Sequence, residues 1–146
     1  VDRHSKTIIA MNIELLLDYC VRFYERQFIT RNEVNRDILV RFENVLDEYF
    51  VSDRPQQIGL PSVGYCAGKL HLSPNYFGDL IKKETGRTAQ EHIQMKLIDL
   101  AKERVFDTGK SISEIAYELG FKYPQHFTRL FKRIVGQTPN QYRMMN

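Results

Sequence analysis

The sequence predicts an all-α protein: two helix-turn-helix subdomains joined by a linker helix, preceded by an N-terminal helical hairpin. Three observations predict it. Apolar and aromatic residues recur at steps of three and four through most of the 146 residues, with no clear alternating stretch that would build a strand. Ser, Thr, Pro and Gly stand where helices should begin and end. The second half repeats itself: Phe77, Leu80, Lys82, Gly86 and Thr88 return as Phe127, Leu130, Lys132, Gly136 and Thr138, each 50 residues later.

The hairpin is expected over residues 1–54. Ile13, Leu16, Leu17, Cys20, Phe23 and Tyr24 mark one helical face between Met11 and Phe28. "TRNE" follows, with Thr30 as N-cap and Glu33 closing a capping box. A second helix then runs to about Phe50, with Val34, Ile38, Phe42, Leu46, Tyr49 and Phe50 on its face. The polar break "SDRPQQIGLP" sets the boundary to a second domain at 55–146.

In that domain the first helix-turn-helix is expected at about 62–83, the linker helix at about 91–107 and the second helix-turn-helix at about 112–133. Val63, Cys66, Ala67 and Leu70 turn inward in the first copy. His71 occupies its turn, and Ser73 caps the next helix with Pro74 in the first position. The linker helix carries Ile93, Leu97, Leu100, Ala101 and Val105 on one side and spans roughly 25 Å.

The second copy, "SISEIAYELGFKYPQHFTRLFK", explains the pattern. Ser111 or Ser113 caps a short helix whose Ile112, Ile115, Ala116 and Leu119 face inward. Ala116 leaves room for a crossing helix. Gly120 can take the positive φ that turns the chain, and Phe121 fills the corner. The next helix buries Phe127, Leu130, Phe131 and Ile134 and shows Gln125, Thr128, Arg129, Lys132 and Arg133, with no acid from Lys122 to Arg133. Such a helix can lie in a major groove with its N-terminal half toward base edges.

The side chains divide by chemistry. Arg129 can fork onto guanine O6 and N7, Gln125 can pair with adenine, and Thr128 can touch a thymine methyl. In the first copy Asn75, Tyr76 and Asp79 occupy the matching exposed face. Ser73, Lys82, Lys83, Lys122, His126, Lys132 and Arg133 suit phosphates, which set position rather than sequence. Asp79 stands where Arg129 stands, so the two heads should differ in specificity.

Charge supports the same division. Residues 1–54 carry eight Lys/Arg and ten Asp/Glu, net −2; residues 55–146 carry thirteen and eight, net +5. No apolar run approaches the roughly 18 residues that cross a membrane, so no membrane partner is expected. The start "VDRHSKTIIA" lacks the order of a signal peptide and reads like a chain cut from something longer. Cys20 and Cys66 match no metal spacing and are expected as buried thiols in a reducing, cytoplasmic setting. No phosphate loop, metal motif or nucleophile–base set occurs around His4, His71, His92 or His126, so no enzyme, metal or cofactor is expected.

From about Leu60 to Arg143 the chain resembles the AraC/XylS family of bacterial transcription regulators. The resemblance rests on Ile112, Ile115, Ala116, Gly120, Phe121, Phe127, Phe131, Lys132, Gly136, Thr138, Pro139, Tyr142 and Arg143. It implies two helix-turn-helix subdomains that read adjacent major grooves of promoter or operator DNA. The family's base-contact positions fall on Asn75, Gly78 and Asp79, then on Gln125, Thr128 and Arg129. Members of the family often carry a sensor and dimerisation domain ahead of this part, and residues 1–54 look like its helical end. RNA polymerase and a second copy, paired through residues 11–50, are the protein partners such a regulator would take; the alternative is that the hairpin's apolar faces pack together or on the DNA-binding domain. The alternative is a helical protein-interaction module without DNA binding, whose affinity would lack the steep salt dependence of phosphate neutralisation.

Overall fold

The computed structural model describes residues 2–145. Eight helices occur in them and no strand: α1 Arg3–Val51, α2 Arg54–Ile58, α3 Val63–Lys69, α4 Pro74–Thr85, α5 Ala89–Arg104, α6 Ile112–Leu119, α7 Pro124–Val135 and α8 Pro139–Met145. Among these residues no helix is long and apolar enough to cross a membrane. The chain divides into two compact units, residues 1–38 and 39–146.

The expected hairpin does not form, because α1 is one helix from Arg3 to Val51. Its sequence holds no Gly or Pro to break it. The Thr30 hydroxyl, expected to cap forward, donates back to the Arg26 carbonyl at 2.9 Å, as a threonine inside a helix does. In the first unit Ile9, Ile13, Leu16, Leu17, Phe23 and Tyr24 are all exposed. Cys20 is exposed too, against the expectation of burial, since nothing in that unit packs over its face of the helix.

In the second unit the last turns of α1 belong to the core. Phe42, Leu46, Tyr49 and Phe50 are buried, and Phe42 meets Phe77 of α4 edge-on at 4.9 Å between ring centroids. The packed unit therefore starts before the polar break at which the sequence set its boundary. That break is itself ordered. Arg54–Ile58 form α2, Pro55 is buried, and the Tyr49 hydroxyl donates to the Gly59 carbonyl at 2.6 Å.

The two helix-turn-helix subdomains are α3–α4 and α6–α7, with α5 between them. Side-chain caps start most of these helices. Ser62, Ser73, Thr88 and Ser111 accept from the amides of Tyr65, Tyr76, Glu91 and Glu114, which would otherwise lack partners. Ala67 and Ala116 are fully buried where their subdomain's helices meet. In the first turn His71 takes φ 57°, and Leu72 N–H reaches the Ala67 carbonyl. In the second, Gly120 takes φ 105°, and Phe121 N–H reaches the Ala116 carbonyl. The same turn is thus closed by the same bond in both copies.

Gly120 answers a second demand. A Cβ on it would lie 2.9 Å from the Gly59 carbonyl carbon and 3.0 Å from its oxygen. Only a residue without a side chain lets the two backbones approach this closely. Other core expectations change. Val63, Leu100, Ile112 and Leu130 are only half-buried, Val34 is exposed, and Ile134 is 40% exposed. Tyr142 of α8 packs on Phe131 at 5.5 Å between ring centroids.

Candidate nucleic-acid interface

Helices α4 and α7 present most of the side chains that the sequence singles out. On α4, Asn75, Tyr76 and Asp79 are exposed, and Gly78 between them is half-buried with open space where a Cβ would stand. Ser73 sits at the helix start with its oxygen engaged by the Tyr76 amide at 3.2 Å. At the other end Lys82 donates to the Gly86 carbonyl at 3.0 Å, while Lys83 is exposed beside it. Both lysines also suit the negative end of the helix dipole.

On α7, Gln125, His126, Arg129, Lys132 and Arg133 are exposed and Thr128 is half-buried. This helix carries three cations and no acid, whereas α4 sets Asp79 and Glu84 against Lys82 and Lys83. The positive potential therefore gathers over α7. Buried Phe127 and Phe131 hold the opposite face, so the helix cannot rotate its polar side inward without losing both.

A groove of about 440 Å³ lies between α5 and α7, floored by Ile93, Leu97 and Leu130 and rimmed by His126, Arg129 and Arg133. Arg133 donates across it to the Gln94 side chain at 3.1 Å. Arg133 is thereby oriented by the linker helix, a partner that the spacing within α7 does not reveal.

Sequence reasoning passed over Tyr123. It is the residue before Pro124, half-exposed at the N-terminus of α7. The Lys122 ammonium lies 5.6 Å from its ring centroid, and the His126 ring meets it edge-on at 5.5 Å. Lys122 and His126 are thus gathered at the N-terminal end of the helix by an aromatic ring. The available signal was an exposed aromatic directly before a helix-starting proline.

Cys66 is buried in α3, and burial pushes its thiol up to about 11, so it is not set up as a nucleophile at neutral pH.

A family model described as a helix-turn-helix domain matches residues 66–145. The TetD protein of transposon Tn10, from Escherichia coli, is 33% identical over 144 residues, covering 98% of this chain and 91% of TetD. The bifunctional transcriptional activator and DNA repair enzyme AdaA of Bacillus subtilis is 32% identical over 103 residues, covering 70% of this chain. This chain spans 47% of AdaA and as little as a tenth of another regulator that it matches. Among solved structures, the C-terminal domain of AraT, a response regulator from Geobacillus stearothermophilus, superposes with a TM-score of 0.64 at 27% identity, covering 75% of this chain and 85% of that domain.

Proposed function

We propose that this chain, which belongs to the AraC/XylS family of helix-turn-helix transcription regulators, binds duplex DNA through α4 and α7 in two adjacent major grooves. The observation that carries this reading is the exposed, acid-free face of α7 set over buried Phe127 and Phe131. Gln125, Thr128 and Arg129 read bases there. Lys122, His126, Lys132 and Arg133 hold phosphates. The first head contributes Asn75, Tyr76 and Asp79 to bases and Ser73, Lys82 and Lys83 to phosphates. With Gly78 and Asp79 at two of its three positions, it discriminates less than the second head.

Regulation of transcription brings RNA polymerase as a partner and the cytoplasm as the setting. A second copy pairs through the exposed apolar residues of α1, among them Ile13, Leu16, Leu17 and Phe23. Of the 11–50 segment first assigned to pairing, Ile38, Phe42, Leu46, Tyr49 and Phe50 are already buried within the chain, which confines the pairing surface to the part before them. The same exposed residues favour the alternative, a protein-interaction module that needs no DNA.

Selection of bound sites from a random duplex pool tests the reading. Two unlike boxes about one helical turn apart are expected, with affinity falling steeply in salt at about 0.9 log units per log unit for each phosphate neutralised. Folded protein that enriches no sequence would refute it.

A further inference from the structure

Residues 39–60 precede the segment that matches the helix-turn-helix family model, and nothing yet assigns them a part in reading DNA. They nevertheless touch both heads. Phe42 packs on Phe77, the buried aromatic of α4, and on His92 of α5. About two helical turns later, Tyr49 is buried against Phe50 and Tyr65, with ring centroids 5.7 and 5.1 Å away. Its hydroxyl reaches over α2 to the Gly59 carbonyl at 2.6 Å. Gly59 in turn lies backbone to backbone against Gly120, at the turn that leads into α7. Gly59 itself takes φ 92°, a conformation that only glycine holds without strain.

We propose that Tyr49 is a positioning residue for DNA reading. By holding Gly59 against Gly120, it fixes the turn of the second helix-turn-helix relative to an α1 end that is already locked to the first. Residues 39–60 form a brace across the two heads, parallel in effect to the linker helix α5. A single linker helix leaves the two heads free to twist about its axis; a second connection removes that freedom. The distance and angle between α4 and α7, and hence the spacing of boxes the chain accepts, depend on the brace. This inference rests on the DNA-binding reading, but its mechanical half does not.

Tyr49→Phe separates the two. The substitution keeps the ring among Phe50 and Tyr65 and removes only the hydroxyl. Hydrogen exchange on the free protein is the first measurement. Amides of residues 119–123 should exchange roughly fivefold faster, the factor that one hydrogen bond is worth, while those of α4 keep the wild-type rate. Faster exchange confined to residues 56–60, or none, would overturn the brace. The second measurement is affinity for a selected two-box site and for versions with one base pair added or removed between boxes. Wild type should discriminate sharply, and Tyr49→Phe should flatten that profile more than it weakens the best site. An unchanged profile with a uniform loss would mean that Tyr49 supports stability only. Wild type that binds no DNA, together with the expected exchange pattern, would sink the DNA reading and leave the brace standing.

Discussion

Replacing Gly120 by alanine tests why the second turn has its glycine. Two costs add at this position. The first is conformational: φ 105° is unfavourable for a residue with a Cβ, by about 1–2 kcal/mol. The second is steric. The new Cβ would stand 2.9 Å from the Gly59 carbonyl carbon, 3.0 Å from its oxygen and 3.1 Å from the Leu60 nitrogen. These are backbone atoms, tied down by the Tyr49 hydroxyl, and they cannot swing aside as a side chain would. Overpacking of this kind costs about 1–3 kcal/mol. Gly120→Ala should therefore lose about 2–5 kcal/mol. Gly136 supplies the control. It takes φ 91° at the end of α7 but has no atom within 4 Å of its missing Cβ, so Gly136→Ala should lose only the first cost, about 1–2 kcal/mol. Urea unfolding followed by circular dichroism measures both, with the slope checked for constancy. Equal losses in the two variants would refute the close approach of Gly59 and Gly120 as a packing constraint.

Three further outcomes are expected. Arg129→Ala should cost about 1–3 kcal/mol at the selected site and relax the base preference of one box, read by competition binding; an equal loss on random DNA would make Arg129 a phosphate contact. Arg143 donates to the carbonyls of Val105, Asp107 and Lys110 at 2.5, 3.2 and 2.9 Å and so ties α8 to the α5–α6 connection. Arg143→Gln should lower stability by about 2–3 kcal/mol, measured by the same urea titration, because it leaves partly buried carbonyls unmatched. The thiols should part company: a thiol reagent at pH 8 should modify exposed Cys20 quickly and Cys66 only after unfolding. Cys66 is raised from 9.0 to about 11 by burial, so the unfolded chain ionises first. Its contribution to stability is whole below pH 9.0 and is lost as pH rises toward about 11, which urea titrations across that range would show in Cys20→Ala.

What the sequence determined by itself is what local chemistry decides. The starts of α3, α4, α5 and α6 follow from Ser62, Ser73, Thr88 and Ser111, because a hydroxyl one turn ahead of an open amide finds it without help from the rest of the chain. Buried Ala67, Ala116, Phe77 and Phe127 follow from the 3.6-residue period and from the repeat. The polar side of α7 is legible for the same reason, since burying Phe127 and Phe131 leaves Gln125, Arg129 and Lys132 outside. Tertiary structure decided the rest. Thr30 had two local choices, a forward cap or a backward bond, and the unbroken run around it settled the choice for a single α1. The apolar residues of the first unit match the helical pattern as well as those of the second. Yet Cys20 stays exposed while Phe42 and Tyr49 are buried, because periodicity names a face and not the partner that covers it. The pairing of Gly59 with Gly120, and of Arg133 with Gln94, joins residues far apart in the chain. No spacing rule encodes such contacts; they exist only once the helices have packed.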